Sequence, residues 1–442
     1  MPTQSPQMNF GVFVHTTGNH ISGWRFPGAI TRDEDFPAIH NVAMVAEKAK
    51  LDFVFFADTP TSMDDGLPVH LARFEPATLL GALAVTTSRV GLVATLSTTY
   101  NEPFNLARQV ASIDQLCRGR AGWNAVTTAN MEAAPNYGRD IIPHDKRYEI
   151  AAEYLDVILG LWDSFEEGAI IANQKTGEYF HKDRVHALNH QGEFYQVKGP
   201  LPHSRSPQGR PVIVQAGSSP AGQAFASRFA DVVFTVQLDM EETRKFRAGI
   251  KRQVAEAGRS PDEVKVLPGV LTVVGKTEEE AKEKFAALAA SIKPGSAMKV
   301  MSERYGYDLS PYPMDGPVPE FPPSPLRTQG YAEVMVAKAR RDNWTLKDLH
   351  DLFALSRGYL MVVGTGKTVA DTLEEWFRAG ACDGFMLTPA YFPGPLQDFT
   401  ELVIPELQKR GLFRQEYEGT TLREHLGLPE PENRYTAAKA KA

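Results

Sequence analysis

The sequence predicts an α/β protein whose strands close into a (β/α)₈ barrel with insertions. Short apolar runs rich in Val and Phe alternate with helix-length stretches in which apolar residues recur every three or four positions. Strands that alternate with helices need right-handed crossovers and hence a parallel sheet, and about eight such units fit a closed barrel. The 442 residues are 43% hydrophobic and 23% charged, which is ordinary for a globular protein with a large core.

The predicted strands and helices alternate from the start of the chain to residue 387. The strands are Met8–His15, Phe53–Ala57, Val90–Leu96, Ala121–Val126, Pro211–Ala216, Asp231–Val236, Val266–Val274, Tyr359–Val363 and Gly384–Leu387. The helices are Ile39–Ala49, Pro76–Thr86, Phe104–Leu116, Tyr148–Trp162, Ala221–Phe229, Glu278–Leu288 and Thr368–Ala379. In the fourth of these helices, apolar residues from Ala151 to Trp162 fall on one face, as expected for a helix that packs on a sheet.

Two long stretches interrupt this alternation. Phe165–Arg210 carries turn signals and no helical pattern, which predicts an insertion with a short hairpin. Ser291–Asn343 is too long and too rich in Pro for a tight connection, so we interpret it as a lid that orders over the substrate, with a disordered segment as the alternative. The stretch Thr420–Ala442 ends in Ala and Lys and is predicted to be loose. We therefore expect one barrel domain over residues 1–427, with insertions at about 165–210 and 291–343, and a flexible tail over 428–442.

Charge and composition argue against several classes of protein. A formal net charge of −7, with Lys and Arg spread along the chain, argues against a nucleic-acid-binding surface. No apolar run reaches the roughly 18 residues that span a bilayer, and the first residues lack the pattern of a signal peptide, so we expect a cytoplasmic protein without membrane contact. Two cysteines, Cys117 and Cys382, are too few for a disulfide framework. The expected partner is a small molecule.

Polar residues stand at the carboxyl ends of successive predicted strands, where the active sites of parallel barrels lie. Asp58 follows the second strand, Thr95 ends the third, and Asn124 lies within the fourth. Each of them alone is typical of a capping side chain, but polar groups at five successive strand ends together favour a site. His144 and Tyr148 stand at the start of the helix after the fourth strand, four residues apart, so both can face the barrel mouth.

The turn Gly217-Ser-Ser-Pro-Ala after the fifth strand indicates an anion site. Ser218 and Ser219 offer hydroxyls and backbone N–H groups at the start of a helix, where the helix dipole favours an anion such as the phosphate of a cofactor. An ordinary Ser cap followed by Pro explains the same residues equally well. The sequence alone leaves both interpretations open.

Several familiar motifs are absent or incomplete. The chain has no His-Glu-x-x-His motif, and His181, His186 and His190 lack a carboxylate pattern that fits zinc, so we predict no metal site. Gly364-Thr-Gly-Lys-Thr368 lacks the first Gly of a phosphate loop, because position 361 is Met. Neither Gly-x-Gly-x-x-Gly nor Gly-x-Ser-x-Gly occurs, so the sequence shows no dinucleotide-binding fingerprint and no α/β-hydrolase nucleophile elbow.

A series of longer motifs resembles those of one enzyme family. They are Asn9-Phe-Gly-Val-Phe13, Gly18-Asn-His-Ile-Ser-Gly-Trp-Arg25, Phe53-Val-Phe-Phe-Ala-Asp58, Gly119-Arg-Ala-Gly-Trp-Asn-Ala-Val-Thr-Thr128, His144-Asp-Lys-Arg-Tyr148, Ser206-Pro-Gln-Gly-Arg-Pro-Val-Ile-Val-Gln-Ala-Gly-Ser-Ser219 and Asp383-Gly-Phe385. From about Met8 to Gly427 the chain resembles the flavin-dependent monooxygenases typified by nitrilotriacetate monooxygenase component A, EDTA monooxygenase and dibenzothiophene sulfone monooxygenase, within the bacterial-luciferase-like superfamily. The resemblance implies a TIM barrel with insertions, reduced FMN supplied by a separate NAD(P)H:flavin reductase, O₂ as co-substrate, and a homodimer or homotetramer.

The resemblance also implies roles for the candidate residues. The positions expected to lie at the flavin ring and its ribityl chain are Asp58, Thr95, Asn124, His144 and Tyr148. The positions expected to bind the FMN phosphate are Ser218 and Ser219, which their place before a helix allows independently. The expected catalytic residues are His20 and His144, because imidazole titrates near working pH and can protonate or orient the activated oxygen.

The resulting prediction is a two-component monooxygenase that uses reduced FMN and O₂ to oxygenate a small organic substrate, with cleavage of a C–N or C–S bond. This chemistry depends on excluding water, which favours a lid. Phe26 stands where many relatives have His, so the resemblance does not imply a polycarboxylate substrate for this chain. The alternatives are a deazaflavin-dependent oxidoreductase of the same superfamily, which the absorbance of the bound cofactor would distinguish, and a non-catalytic flavin-binding protein.

Overall fold

Thirteen strands form within the part of the chain that the computed structural model describes, which is residues 6–63, 67–128, 130–320 and 329–441. They are β1 (Asn9–Phe13), β2 (Phe53–Phe56), β3 (Gly91–Ser97), β4 (Ala121–Val126), β5 (Ile170–Asn173), β6 (Glu178–Phe180), β7 (His190–Gln191), β8 (Gln196–Val197), β9 (Val212–Gln215), β10 (Val232–Thr235), β11 (Lys265–Gly275), β12 (Leu360–Thr365) and β13 (Gly384–Leu387). The runs predicted from the sequence therefore correspond to observed strands.

Eight of these strands close into a parallel barrel in the order β1-β2-β3-β4-β9-β10-β11-β13, with β13 pairing back onto β1. This confirms the predicted fold class. The run at 359–363 is the exception, because β12 lies outside the closed barrel. β11 is long enough to pair with β10 and β13 through its first half and with β12 through Val270–Gly275, so β12 extends the sheet without joining the closure.

Helices cover the outside of the barrel and supply the connections. Within the described residues they are α1 (Phe36–Lys48), α2 (Pro68–Leu71), α3 (Pro76–Thr86), α4 (Pro103–Leu116), α5 (His144–Trp162), α6 (Pro220–Phe229), α7 (Met240–Glu256), α8 (Glu278–Ala290), α9 (Met298–Tyr305), α10 (Gln329–Arg341), α11 (Leu346–Ser356), α12 (Gly366–Arg378), α13 (Gly394–Asp398), α14 (Ile404–Lys409), α15 (Leu422–His425) and α16 (Arg434–Lys441). None of these helices combines the length and the apolar character that crossing a bilayer requires.

Two layers of apolar side chains hold the barrel together. The larger layer lies between the strands and the outer helices and includes Trp123, Tyr154 and Leu155. The smaller layer fills the barrel interior, where Phe53, Phe55, Val93, Val214, Phe234 and Met386 pack together. A packed interior leaves no pore, so ligands can reach only the ends of the strands.

Residues 420–428 close the bottom of the barrel, although the stretch from Thr420 onwards was predicted to be loose. Leu422 and Leu426 are buried with the interior side chains. Arg423 forms hydrogen bonds of 2.8 and 3.1 Å with the carboxylate of Asp231, which precedes β10. The stretch looks polar in sequence because its few apolar residues are widely spaced. In the structure those residues pack inside the barrel, and Arg423 pairs with the buried Asp231.

The two insertions have different structures. Residues 165–210 form two antiparallel hairpins, β5 with β6 and β7 with β8. The second insertion contains helices, although its sequence suggested an irregular loop. Helices α9, α10 and α11 share a separate apolar core, in which Met301, Leu309 and Leu349 are fully buried. Residues 321–328, in the Pro-rich middle of the predicted lid, lie outside the described residues.

The second insertion packs over the carboxyl ends of the strands. Ile21 from the loop after β1 and Val69 from α2 belong to the same apolar core as Met301 and Phe353. Leu238, which follows β10, packs against that core as well. The insertion is therefore attached to three parts of the barrel mouth and covers this side of it.

Candidate active site

Thr95 and Asn124 lie side by side at the barrel mouth. β3 and β4 pair in a register that places these two residues opposite each other. The Asn124 Nδ2 donates to Thr95 Oγ1 over 2.9 Å, and both side chains are buried. Asn124 Oδ1 is buried and has no hydrogen-bond partner among the described residues. Because an unpaired buried acceptor is costly, this atom is suited to accept an N–H group of a ligand.

A second group of polar residues joins the starts of α5 and α6. Ser219 Oγ lies 3.3 Å from His144 Nε2, while His144 Nδ1 lies 2.7 Å from Asp145 Oδ1. Tyr148 follows one turn later, and its hydroxyl lies close to Thr127, Ser219 and Gln215. Burial raises the pKa of Tyr148, so its hydroxyl stays protonated and can donate a hydrogen bond.

The turn after β9 brings its backbone close to Tyr148. A Cβ atom on Gly217 would lie 2.7 Å from the Tyr148 hydroxyl, so any other residue at this position would displace that side chain. Ser219 is the N-cap of α6, because its hydroxyl accepts from the Gly222 N–H over 3.2 Å. Ser219 therefore caps α6 and stands at the start of this helix. Ser218, the other serine of the pair, is half-buried, and its carbonyl accepts from Gln223 Nε2 over 2.8 Å.

Arg147 is a site candidate that the sequence analysis missed. Its side chain is buried, Nη1 donates to the Ile142 carbonyl over 2.7 Å, and Nε and Nη2 have no partner among the described residues. A buried guanidinium with two unpartnered donors is suited to an anionic ligand. The signal was present in His144-Asp-Lys-Arg-Tyr148, but an Arg beside a Lys on a helix is more often an exposed charge than a ligand-binding group.

Asp58 occupies a different part of the mouth from Thr95 and Asn124. Its carboxylate pairs with Arg73 at 3.1 Å, and burial raises the pKa of this carboxyl although Arg73 opposes the shift. Asp58 lines a cavity of about 180 Å³ between the barrel and the second insertion, which we call the arginine cavity. Its lining residues are Phe13, His15, Ala57, Asp58, Thr59, Val69, His70, Arg73, Val300, Arg304, Phe353, Arg357 and Tyr359.

His20 does not join the other predicted site residues. It is buried beside Phe26, with ring centroids 6.0 Å apart, and its Nδ1 accepts from the Ser22 N–H over 3.0 Å. Burial lowers the pKa of His20 to about 4, so the ring is neutral near pH 7. His15 lines the arginine cavity instead. Phe26 stacks on Tyr391 at 5.1 Å and is not among the residues that line this cavity.

The described residues contain no cluster of three or more His, Cys, Asp or Glu side chains placed to hold a metal ion. The histidines singled out in the first insertion have local carboxylate partners instead. His186 Nε2 lies 2.6 Å from Glu166, and His190 Nε2 lies 3.0 Å from Glu153. These pairs hold the hairpins and the C-terminal helix in place, since Glu166 also binds Lys439 at 2.7 Å.

The chain resembles known proteins over nearly its whole length. The family model described as luciferase-like monooxygenase matches residues 8–383. N-acetyl-S-(2-succino)cysteine monooxygenase of Bacillus subtilis (strain 168) is 44% identical over 439 residues, which cover 98% of this chain and 100% of that protein. Nitrilotriacetate monooxygenase component A of Aminobacter aminovorans is 42% identical, over 97% of this chain and 98% of the relative.

Solved structures agree with this similarity. The crystal structure of riboflavin lyase with modified FMN and riboflavin superposes with a TM-score of 0.87. The two sequences are 32% identical, and the superposition covers 98% of this chain and 99% of the riboflavin lyase chain.

Proposed function

Because this chain belongs to the luciferase-like monooxygenase family and is a flavin-dependent monooxygenase, we propose that it receives reduced FMN from a separate NAD(P)H:flavin reductase. With O₂ it hydroxylates a small organic substrate at a carbon that is bonded to N or S. The hydroxylated carbon is unstable, so its C–N or C–S bond then breaks. The observation that carries the assignment of the FMN site is the set of buried, unpartnered polar atoms on Asn124 and Arg147.

The residues at the ends of β3, β4 and β9 fit a flavin. The flavin ring carries an N–H group that can donate a hydrogen bond to Asn124 Oδ1, while Thr95 holds the Asn124 amide in place. Ser218, Ser219 and Arg147 are the proposed phosphate ligands, since a helix start and a buried guanidinium both favour an anion. Tyr148 donates a hydrogen bond in the same region.

The bound reduced flavin supplies the electrons that activate O₂. The protein binds and orients this cofactor and excludes water from it. His144 is the proposed proton-handling residue, because its Nε2 faces Ser219 and its Nδ1 is oriented by Asp145. The second insertion covers part of the mouth and limits the access of solvent. Asp58, through its ion pair with Arg73, shapes the side of the site that faces the insertion.

Cofactor titration tests this proposal. Purified protein is expected to bind reduced FMN more tightly than NADH, because the Ser218-Ser219 turn offers one phosphate site and the chain lacks a dinucleotide fingerprint. Anaerobic fluorescence titrations measure both affinities. Tight NADH binding with flavin reduction by this chain alone would contradict the two-component proposal. A preference for a deazaflavin over FMN, visible in the absorbance of the bound cofactor, would favour a deazaflavin-dependent oxidoreductase instead of a monooxygenase.

A cytoplasmic location and a homodimer or homotetramer remain predictions from the sequence. Light scattering of the purified protein measures the oligomeric state, and cell fractionation measures the location.

A further inference from the structure

We propose that the β5–β6 hairpin of the first insertion is a contact surface between two copies of this chain. In this contact the hairpin of each copy fills a cleft beside the base of the same hairpin in the other copy. The helix α5 begins at the barrel mouth and ends at Trp162, just before the first insertion, so the hairpin lies at the other end of the barrel. The inference is therefore independent of the proposed function.

The β5–β6 hairpin projects from the molecule with both of its faces exposed. Every residue from 172 to 180 is exposed, on both strands and in the turn that joins them. Ile170 and Phe180 are paired across the strands and are 37% and 44% exposed. Tyr179, on the opposite face, is 65% exposed. A two-stranded hairpin alone is at best marginally stable in water, so packing against another surface would stabilise it.

A cleft of about 290 Å³, which we call the hairpin cleft, lies beside the base of this hairpin. Residues 165–170 of the first insertion form one wall, residues 204–207 before β9 form another, and Glu430 closes the side towards the C-terminus. None of the exposed residues 172–180 lines the hairpin cleft of its own chain. The cleft is thus open to a segment from outside.

Exposed carboxylates line the hairpin cleft. Glu167 is exposed and has no ion-pair partner among the described residues. Glu430 lies 3.8 Å from Arg205, but its side chain is 57% exposed and can accept a second cation. The other charged residues in the lining are Glu166 and Arg205, and each is already held in an ion pair. The cleft therefore favours a segment that carries a positive charge.

The turn of the hairpin carries such a charge. Lys175 is exposed and has no ion-pair partner within the described part of the chain. The Asn173 side chain accepts hydrogen bonds from the backbone N–H groups of Lys175 and Thr176, over 3.0 and 3.2 Å, which gives the turn a defined shape. An ordered cation at the tip and carboxylates in the cleft are complementary, and such complementarity fixes the register of an interface.

The occupant of the cleft is a second copy because hairpin and cleft adjoin on one chain. A two-fold axis between two copies makes each hairpin-to-cleft contact twice, which is how closed dimers form. Ile170 belongs to the hairpin and to the cleft lining, so the two contacts are continuous. Together they would cover Phe180 and Tyr179 in both copies.

Sedimentation velocity over a concentration series tests the inference on the full chain. The unsubstituted protein is expected to be a dimer or an assembly of dimers. Phe180→Ser removes an aromatic contact from both halves of the interface and is expected to weaken association at least tenfold. Val85→Ser, at a 68% exposed position of α3, is the matched control and is expected to leave association unchanged.

Charge reversal tests whether the contact joins two copies. Lys175→Glu and Glu167→Lys are each expected to weaken association at least fivefold, because each places like charges together twice. An equimolar mixture of the two variants is expected to associate at least fivefold more tightly than either alone, since every contact in the mixed dimer then joins opposite charges. Mixing cannot restore a contact that forms within one chain.

The outcomes separate this inference from the proposed function. A monomeric unsubstituted protein overturns the inference, and so does unchanged association in Phe180→Ser. An equal loss of association in Val85→Ser would overturn it as well. A mixture of Lys175→Glu and Glu167→Lys that associates no better than its components would show that the hairpins are not exchanged. FMN affinity of the same samples reports on the proposed function alone and is expected to stay within twofold in every variant.

Discussion

Single residues at the mouth show which parts of the site could be predicted from sequence. Asn124, His144 and Ser219 were predicted from their positions in or after the strands that end at the barrel mouth. In the structure Asn124 donates to Thr95, and Ser219 lies 3.3 Å from His144. The predicted residue His20 is buried beside Phe26, whereas His15, which also follows β1, lines the arginine cavity. The sequence does not show which of two imidazoles after one strand faces a cavity, because that depends on the path of the loop. Arg147 was missed because burial of a charged side chain depends on tertiary packing.

Ser219→Asp tests the phosphate site at the scale of one residue. Asp caps helices as well as Ser does, so α6 should keep its start, while the new carboxylate repels the FMN phosphate. Loss of one charge-assisted hydrogen bond costs about 1.5–3 kcal/mol before repulsion is added, so FMN affinity is expected to fall at least tenfold. Fluorescence titration measures the dissociation constant. Ser260→Asp, at another N-cap on the surface, is the control, and equal FMN affinity in both variants would place the phosphate elsewhere.

At the scale of elements, alternation of apolar runs and amphipathic stretches was sufficient to predict the barrel. The sequence did not show that β12 stands outside it, because strand closure depends on the length and direction of β11. The helices of the second insertion were also missed. α9 begins at Met298 after a turn at residues 294–297 and ends at Tyr305, a short amphipathic stretch next to a Pro-rich one. Its stability comes from contacts with Phe353 and Ile21, which are distant in sequence.

Leu309→Ala tests whether the second insertion shields the site. Leu309 is fully buried in the core of the insertion, and a Leu to Ala change in such a core typically removes about 2–5 kcal/mol of stability. We expect the insertion to loosen while the barrel stays folded and FMN affinity stays within twofold. Water would then enter the site where O₂ is activated, so the ratio of hydrogen peroxide to oxygenated product should rise. Leu116→Ala, at an exposed position of α4, is the control; equal ratios in the two variants would show that the insertion does not act as a lid.

At the scale of the whole molecule, the chain after residue 419 is part of the barrel. Leu422 lies against the starts of β3 and β4, where an added Cβ on Gly91 would come within 2.5 Å of its side chain. We expect truncation after Gly419 to lower the melting temperature sharply or to prevent folding, because Leu422, Leu426 and the partner of Asp231 are lost together. Truncation after Asn433, which removes only α16, is the matched control. Thermal denaturation followed by circular dichroism measures both, and equal melting temperatures would contradict a structural role for residues 420–433.

The closure of the barrel by residues far from its first strands has a consequence for folding in the cell. Ribosomes release the strands β1 to β13 in order, so the sheet can assemble while its lower opening is still exposed to water. Apolar side chains such as Phe53 and Val93 then remain accessible until Leu422 has been synthesised. Contacts between residues so distant in sequence form late, and exposed apolar surface in the interval favours aggregation. We therefore expect the newly made chain to depend on chaperones during expression.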